Sequence, residues 1–575
     1  MTAADLRERI VSTVAANGGH LASSLGAVEI SMALAEVFDP AKDRIVWDVG
    51  HQAYAWKILT GRDDRFPTLR KLDGVAPFPN PAESSADAAV AGHAGVAISV
   101  ASGLASARDR KGSGEHIVAV VGDGALVNGT SFEALNCCAA ATSKLIVILN
   151  DNGMSISKPS GSFARFLGRL ITGERYNRVK AAAEKAGHRM RLTFLRKTYH
   201  RLESRLKSLF LGNAFFESFG LRYIGPVDGH DLAALKSAFS VARDDKRSVL
   251  VHVVTKKGRG FAPAEENPTA WHGVGAFDRA GAAAVPPSHP RDWSAAFGEA
   301  LSAAAEENPK VVALTAGMKD GTGLAGFAEK FPSRFYDVGI AEGHMVAFAG
   351  GLAAGGMRPV VAVYSTFLQR AVDQVMHDVA IAGLPVVFAV DRAGIVGADG
   401  VTHQGIYDLA MIRAIPNLEI YQPCDEDELK AALAAALGRN GPSVIRYPRG
   451  PVPPAYGIAA AGAAVQVTGE DAPVQIWAGG DCLGKALAVA GRTGAGVVYA
   501  RRLKPCDFSL LQAQRSAGRR IVSIENTAVS GGFGEAIGAD VKFGWPDEFI
   551  PHGPVQDLEK RYRLDVESIV EVLNG

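Results

Sequence analysis

Apolar runs of strand length alternate with Ala- and Leu-rich stretches of helical length along most of the chain. Runs that predict strands lie at 117–121, 145–149, 249–254, 311–314, 360–364, 386–390, 444–447, 474–478, 496–499 and 520–524. Continuous apolar runs are typical of strands buried on both faces, and their alternation with helices indicates parallel sheets covered by helices. The pattern therefore predicts an α/β fold with mainly parallel sheets.

Two proline-rich stretches divide this alternation into parts. They lie at 285–290 and 451–454 and are typical of linkers. With 575 residues, the chain is also too long for a single hydrophobic core. We therefore predict three α/β domains, at 1–287, 288–452 and 453–575.

A basic segment at about 158–212 interrupts the first predicted domain. Between positions 165 and 207 it carries thirteen Lys or Arg residues and three acidic residues. Such a charge excess is compatible with an RNA- or phosphate-binding arm or with a solvated, mobile insertion. Because aromatic side chains do not alternate with the charges, the insertion is favoured, and no nucleic-acid partner is predicted.

Overall composition gives no sign of a membrane or nucleic-acid partner. The 61 basic and 60 acidic residues nearly balance, so the chain has no strong global field. The first residues lack a signal-peptide core, and no stretch reaches the length of a membrane span. The cysteines show no metal-binding spacing, which predicts free thiols and a cytoplasmic location. They are Cys137, Cys138, Cys424, Cys482 and Cys506.

Polar residues follow two of the predicted strands. Asp123 comes after the run 117–121 and is flanked by glycines, and Asn152 comes after the run 145–149. Carboxyl ends of parallel strands form the ligand edge of a sheet, and a carboxylate with an amide oxygen suits Mg²⁺ bound to a ligand's phosphates. A glycine–aspartate–glycine turn alone is often only a strand-to-turn connection. The second polar turn favours a diphosphate site.

This pair of turns resembles the thiamine-diphosphate motif, and further segments extend the resemblance over nearly the whole chain. The chain is similar to the 1-deoxy-D-xylulose-5-phosphate synthases, a family of transketolase-like enzymes. The segments that carry the similarity are 18–26, 47–54, 223–231, 364–370, 391–404, 446–450 and 531–534. The basic insertion and the stretch near 456–470 fall outside it.

The resemblance implies a fold, a reaction and partners. It implies a diphosphate-binding domain, a pyrimidine-binding domain and a C-terminal transketolase-type domain, assembled as a homodimer. The implied reaction condenses pyruvate, which loses CO₂, with D-glyceraldehyde 3-phosphate. The product feeds isoprenoid precursors and the synthesis of thiamine and pyridoxal phosphate. Thiamine diphosphate and Mg²⁺ are the implied cofactors.

The same resemblance implies the residues that hold these cofactors. Glu342 matches the glutamate that hydrogen-bonds the aminopyrimidine ring and exchanges a proton with it. A capping or surface glutamate is the alternative for this position. The implied metal ligands are Asp123, Asn152 and the backbone carbonyl of Met154. The implied cofactor-binding residues are Gly92, His93, Ala94, Gly124, Ala125, Asn152 and Glu342.

Residues for the substrates follow from the same motifs. Histidine gives and takes protons near neutrality, and we favour His20 and His403 for contacts with the substrates. His51, His230 and His272 also fall in matching motifs, although a lone histidine is more often structural. Arginines make paired hydrogen bonds to phosphate, which suits Arg370 and Arg449 to the acceptor's phosphate. An ion pair of Arg370 with Asp373 is the alternative or an additional role. Tyr364 and Asp399 are expected to complete that end of the pocket.

Four positions depart from the family pattern and leave the substrate open. Ala76 replaces a usual histidine, Ala94 a serine, Gly153 a glutamate and Gly343 a glutamine. Ala76 and Gly343 in particular leave open a related transketolase-type enzyme with another donor or acceptor. A catalytically idle protein that binds phosphates or RNA is the third hypothesis. The presence of Glu342 together with the predicted metal ligands argues against it.

Overall fold

The computed structural model describes residues 1–153, 211–279, 291–458 and 461–575. The chain divides into two compact units. The first consists of Met1–Leu69 and Phe78–Pro286, and the second of Arg70–Pro77 and Pro287–Gly575. The division into three domains stays a prediction. The basic insertion and Met154 lie outside the described residues.

The first unit contains a five-stranded, all-parallel sheet with the order β1-β2-β3-β5-β4. Its strands are β1 (Arg44–Trp47), β2 (Ile117–Gly122), β3 (Ile146–Asp151), β4 (Arg222–Asp228) and β5 (Val249–Val254). The central strands β2, β3 and β5 are almost completely buried, as their continuous apolar sequences require.

Helices cover this sheet, and several begin at side-chain caps. The Thr2 side chain and Asp5 form a capping box at the first helix, and Asp231 caps the helix before β5. The described helices of this unit are Ala3–Asn17, Ala22–Gly26, Val28–Val37, Tyr54–Lys57, Ala97–Lys111, Asp123–Leu126, Gly129–Ala141, Leu211–Ser218, Leu232–Asp244 and Ala262–Glu266.

The second unit contains two sheets. Its strands are β6 (Val311–Thr315), β7 (Phe335–Asp337), β8 (Arg358–Tyr364), β9 (Val387–Asp391), β10 (Glu419–Tyr421), β11 (Ser443–Arg446), β12 (Val465–Thr468), β13 (Val474–Ala478), β14 (Gly496–Tyr499), β15 (Arg502–Lys504), β16 (Arg520–Ala528) and β17 (Val541–Trp545). One sheet has the order β15-β10-β11-β9-β8-β6-β7, and the other has the order β12-β14-β13-β16-β17. Only β15 and β12, both edge strands, pair antiparallel with their neighbours in the described sheets.

The helices of the second unit pack on both sheets. Beside the seven-stranded sheet, Trp293 and Phe297 of one helix stack on Tyr447, and all three residues are buried. The described helices are Trp293–Glu307, Ala325–Lys330, Glu342–Ala354, Ser365–Leu368, Val372–Gln374, Asp408–Ile412, Glu426–Gly438, Leu483–Thr493, Phe508–Ser516, Phe533–Ala536, Val555–Arg561 and Val566–Asn574.

The predicted fold class is confirmed. Each predicted apolar run overlaps an observed strand, and the sheets are mainly parallel. All five cysteines are free thiols, as predicted. Among the described helices, none combines the length and the apolar character that a membrane crossing requires.

Candidate functional site

In the first unit, the two predicted metal ligands leave neighbouring strands at one edge of the sheet. Strands β2 and β3 are parallel, with Gly122 opposite Asn150. Asp123 directly follows Gly122, and Asn152 lies two residues after Asn150. A Cβ at Gly122 or Gly153 would meet no heavy atom of the described residues within 4 Å, so these residues leave space beside both turns. This edge can therefore accommodate a ligand.

The charged groups around Asp123 would favour a bound cation. They are the Asp151 carboxylate and the Lys257 ammonium. Burial and the nearby Asp151 carboxylate raise the pKa of Asp123 to about 7. Burial lowers the pKa of Lys257 to about 8, and the charge of Asp123 opposes this shift. A divalent cation beside Asp123 would favour its ionised form and lower its pKa. The Asp123 side therefore fits Mg²⁺, whereas Met154 lies outside the described residues.

Hydrogen bonds join the predicted cofactor-binding segments 92–94 and 124–125. Asp48, just after β1, accepts the N–H of Gly95 at 2.8 Å. The Ser131 hydroxyl donates to the carbonyl of Ala125 at 2.9 Å and to that of Gly95 at 3.3 Å. The two loops are thereby held together in the first unit.

Three of the five predicted histidines form one cluster. The ring centroids of His20, His51 and His272 lie 5.1–5.9 Å apart. Ser23 Oγ lies 3.2 Å from His272 Nδ1. Burial, with the neighbouring histidines and Lys257, lowers the pKa of both His51 and His272 well below the usual value. Neutral imidazoles of this kind can donate or accept hydrogen bonds.

His230 lies apart from this cluster, and both of its ring nitrogens are engaged. The Lys256 backbone N–H donates to Nε2 at 2.8 Å, and Nδ1 lies 3.1 Å from Glu29 Oε2. Although burial acts to raise the pKa of Glu29, hydrogen bonds from His230 and Arg7 lower it to about 2. His230 therefore holds the backbone beside Lys257, and its predicted catalytic role stays a prediction.

In the second unit, Glu342 begins the helix that follows β7. Its side chain is 5% exposed, and its Oε2 atom is buried without a hydrogen-bond partner among the residues that the structure describes. Burial raises its pKa, and Arg370, whose Nη1 lies 3.9 Å from Oε2, opposes this shift. A buried, unpartnered carboxylate oxygen requires a donor. The carboxylate therefore fits the aminopyrimidine ring implied by the family resemblance.

Arg449, Tyr364 and Asp399 lie in a second charged group. Asp399 accepts hydrogen bonds from Arg70 at 2.6 Å and from Arg449 at 3.3 Å. The Arg392 guanidinium lies 4.0 Å from the centre of the Tyr364 ring. Three cations around one carboxylate and one phenol form a basic group suited to an anionic ligand.

His403 is linked to this group through aromatic contacts. Its ring lies 5.7 Å from that of Phe367, which stacks at 5.7 Å on Tyr364. Its Nδ1 atom lies 2.9 Å from Thr402 Oγ1. His403 thus belongs to the same part of the second unit as Tyr364.

Comparisons with known proteins agree with the resemblance. Residues 1–255 match a family described as 1-deoxy-D-xylulose-5-phosphate synthase, and residues 289–454 match the transketolase pyrimidine-binding domain. The protein named 1-deoxy-D-xylulose-5-phosphate synthase 1 in Geobacter metallireducens is 44% identical over 99% of this chain and 94% of its own. A 1-deoxy-D-xylulose-5-phosphate synthase of Syntrophotalea carbinolica is 46% identical over 99% of this chain and 93% of its own. This chain belongs to the 1-deoxy-D-xylulose-5-phosphate synthase family. It is thus a member of a family of transketolase-type transferases.

Similarity to a transketolase is also found among solved structures. The transketolase from Leishmania mexicana is 20% identical, with 100% of this chain and 97% of that chain covered and a TM-score of 0.44.

The structure shows how much space surrounds Gly343, one of the departures from the synthase family pattern. A Cβ at Gly343 would lie 3.2 Å from Gln374 Oε1 and 3.8 Å from the Arg370 carbonyl oxygen. Little space is therefore available for a side chain at position 343, whereas a Cβ at Gly153 would meet no described atom within 4 Å. Ala76 lies in the short segment that belongs to the second unit.

Three polar residues of these groups were not singled out from the sequence. Lys257 lies beyond β5, at the same carboxyl edge of the sheet as Asp123, and topology alone could have drawn attention to it. Arg392 lies within the matching segment 391–404, next to residues that were selected. Arg70 had no such signal, because its contact with Asp399 joins positions far apart in the chain.

Proposed function

We propose that this chain condenses pyruvate with D-glyceraldehyde 3-phosphate to give 1-deoxy-D-xylulose 5-phosphate and CO₂. The product would supply isoprenoid precursors and the synthesis of thiamine and pyridoxal phosphate. The observation that carries the proposal is the similarity to curated synthases over 99% of the chain. Thiamine diphosphate and Mg²⁺ are the proposed cofactors.

The residues that would hold these cofactors are those that the family resemblance implies. Asp123 and Asn152 would bind Mg²⁺, with the carbonyl of Met154, and the loops 92–94 and 124–125 would bind the diphosphate. Glu342 would accept a hydrogen bond from the pyrimidine through its unpartnered Oε2 atom. When bound, thiamine diphosphate supplies the electron sink on which decarboxylation depends.

Proton transfers are assigned to groups with suitable pKa values. The buried position of Glu342 raises its pKa, which brings a carboxyl closer to the pH at which it can both give and take a proton. His51 and His272 would donate or accept hydrogen bonds as neutral rings, and His20 would lie beside them. His403 would contact the acceptor.

The acceptor's phosphate would bind among the arginines of the second unit. Arg449, beside Asp399, has a side chain that is 44% exposed. Arg370 lies next to Glu342, so its replacement would affect the proton relay as well as any phosphate contact. Arg449 is therefore the better test of phosphate binding.

Activity tests the proposal directly. We expect the protein with thiamine diphosphate and Mg²⁺ to release CO₂ from pyruvate faster when D-glyceraldehyde 3-phosphate is present. Mass spectrometry should identify deoxyxylulose phosphate. Turnover of another donor without this product would instead support the transketolase-type alternative, and absence of any turnover would support the idle protein.

Replacing Arg449 by alanine should raise KM for D-glyceraldehyde 3-phosphate by about 10- to 100-fold, because a charged hydrogen bond to phosphate contributes about 1.5–3 kcal/mol. KM for pyruvate should change little, and phosphate-free glyceraldehyde should show no such loss. Arg492→Ala is a matched control, since that arginine is 49% exposed and pairs with Glu567. Equal losses with both aldehydes would refute the phosphate contact.

Ala76 is the observation that favours a second candidate, a transketolase-type enzyme with another donor. If the synthase proposal holds, Ala76→His should change kcat/KM for pyruvate by no more than about tenfold, since one polar contact contributes about 0.5–1.5 kcal/mol. Ala82→His, at an exposed position, is the control. A wild-type preference for hydroxypyruvate or a ketose phosphate, reduced by Ala76→His, would establish the second candidate.

We propose a cytoplasmic homodimer as the form in which the enzyme acts. The side chains of Met376 and Ile381 are 44% and 74% exposed on one segment of the second unit. The proposal rests on the family resemblance, which implies a homodimer, and these exposed apolar residues offer one surface on which to test it.

A further inference from the structure

A closed loop carries two of the residues assigned to the acceptor. Gly394 and Gly405 exchange backbone hydrogen bonds of 2.6 and 2.8 Å, which close the loop 394–405 at its base. Asp399 and His403 lie within it. Their positions therefore depend on what holds this base.

Asn526, in β16 of the other sheet of the second unit, contacts the loop base directly. The Ile395 N–H donates to Asn526 Oδ1 at 3.0 Å. Gly394 has a φ of +104°, and a Cβ there would lie 2.2 Å from Asn526 Nδ2. The glycine thus allows the asparagine amide to approach the backbone closely.

The Asn526 amide is itself held by two further partners. Trp545 Nε1–H donates to Oδ1 at 2.9 Å, and Nδ2 donates to Asp481 Oδ2 at 2.9 Å. Asp481 also accepts a hydrogen bond from Gln422. A side chain with both an acceptor and a donor is needed here, and its orientation is fixed by these contacts.

Gln404, which lies within the loop 394–405, also forms hydrogen bonds that hold the loop. Gln404 Oε1 accepts the N–H groups of Val396 and Gly397 at 2.9 and 3.1 Å, and its Nε2 donates to the Pro551 carbonyl at 3.0 Å. Gly397 also approaches Gly553, whose carbonyl would lie 2.7 Å from a Cβ at position 397. The C-terminal part of the chain therefore contacts both the base and the side of the loop.

We propose that Asn526 is a positioning residue for the acceptor half of the reaction. It fixes the base of the loop 394–405 and thereby places Asp399 and His403, without itself touching a substrate. The inference rests on the proposed function for its catalytic consequence. Its structural consequence, a more mobile loop on loss of Asn526, is measurable without any turnover.

The test combines hydrogen–deuterium exchange with kinetics on the full-length protein. In Asn526→Ala, we expect amide exchange in peptides covering 394–405 to rise about tenfold, the effect of losing one hydrogen bond to a backbone N–H. KM for D-glyceraldehyde 3-phosphate should rise by a similar factor. KM for pyruvate and proton exchange at C2 of thiamine diphosphate should stay at the wild-type values.

Two variants separate positioning from a general loss of stability. Trp545→Phe removes the other donor to Asn526 Oδ1 and a buried indole, but it leaves the Ile395 contact. The Trp545→Phe variant should have a lower thermal stability, but its KM for D-glyceraldehyde 3-phosphate should not change. Asn526→Asp together with Asp481→Asn reverses donor and acceptor between the two side chains and keeps an acceptor for Ile395. This pair should restore both loop protection and acceptor KM.

Each contrary outcome refutes the inference. Unchanged exchange in 394–405, or equal changes in both KM values, would show that Asn526 does not position the loop. So would Trp545→Phe raising acceptor KM as much as Asn526→Ala. If the wild type forms no deoxyxylulose phosphate, the proposed function fails, and the exchange measurements still decide whether Asn526 holds the loop.

Discussion

Glu342→Gln is expected to slow proton exchange at C2 of bound thiamine diphosphate by about 10²–10⁴-fold, the usual contribution of a positioned acid or base. The amide has nearly the size of the carboxyl and keeps an oxygen acceptor, but it cannot exchange a proton. Arg370 would also lose the carboxylate that lies 3.9 Å from it. The fold should be kept, because Glu342 Oε2 forms no hydrogen bond that stabilises it.

Nuclear magnetic resonance of the cofactor after a deuterium pulse measures this exchange. Glu329→Gln is a suitable control, since Glu329 is an exposed residue of the helix Ala325–Lys330. Cofactor affinity should change much less than the exchange rate. Wild-type exchange in Glu342→Gln would remove this residue from the proton relay.

Asp123→Ala should abolish activity and weaken thiamine-diphosphate binding in Mg²⁺ by about 100-fold or more. Changes around a metal commonly cost 10- to 100-fold in affinity, and loss of a ligand removes a direct bond. Calorimetry with and without Mg²⁺ measures the loss. Asp64→Ala, at an exposed position of the same unit, provides the control. An affinity equal to that of the wild type would refute the metal assignment.

The same substitution should stabilise the cofactor-free protein. Because the folded-state pKa of Asp123 is raised from 3.8 to about 7, ionising this group disfavours the folded state. The penalty is absent below the lower pKa and grows as the pH rises through this interval. At a pH above about 7 and without Mg²⁺, the Asp123→Ala variant should therefore have a higher Tm than the wild type. With Mg²⁺ and cofactor, the variant should have a lower Tm than the wild type.

The sequence was sufficient for the buried parts of the fold. Strands such as β2, β3 and β5 are continuous apolar runs, and their burial on both faces explains why. Strand β4 was not predicted, since it lies at a sheet edge, is only half-buried and contains Pro226. Short edge strands such as β7 and β15 have too few residues to give a pattern.

The candidate site was predictable where its residues follow strands or motifs. Asp123 and Glu342 could be selected for this reason. The Asp399–Arg70 pair and the contact of Asn526 with Ile395 could not, because they join residues 329 and 131 positions apart. Such contacts are set by how the sheets pack, which local patterns do not encode.

The segment Arg70–Pro77 has a consequence for dividing this protein into pieces. It belongs to the second unit, although the chain on both sides of it belongs to the first. A cut between positions 287 and 288 would therefore leave the fragment 288–575 without Arg70, the partner of Asp399, and without Asp73, the partner of Arg561. The fragment 1–287 would contain the whole first unit, whereas the fragment 288–575 would lack part of the second. We therefore expect a stable C-terminal fragment to need these eight residues in addition to 288–575.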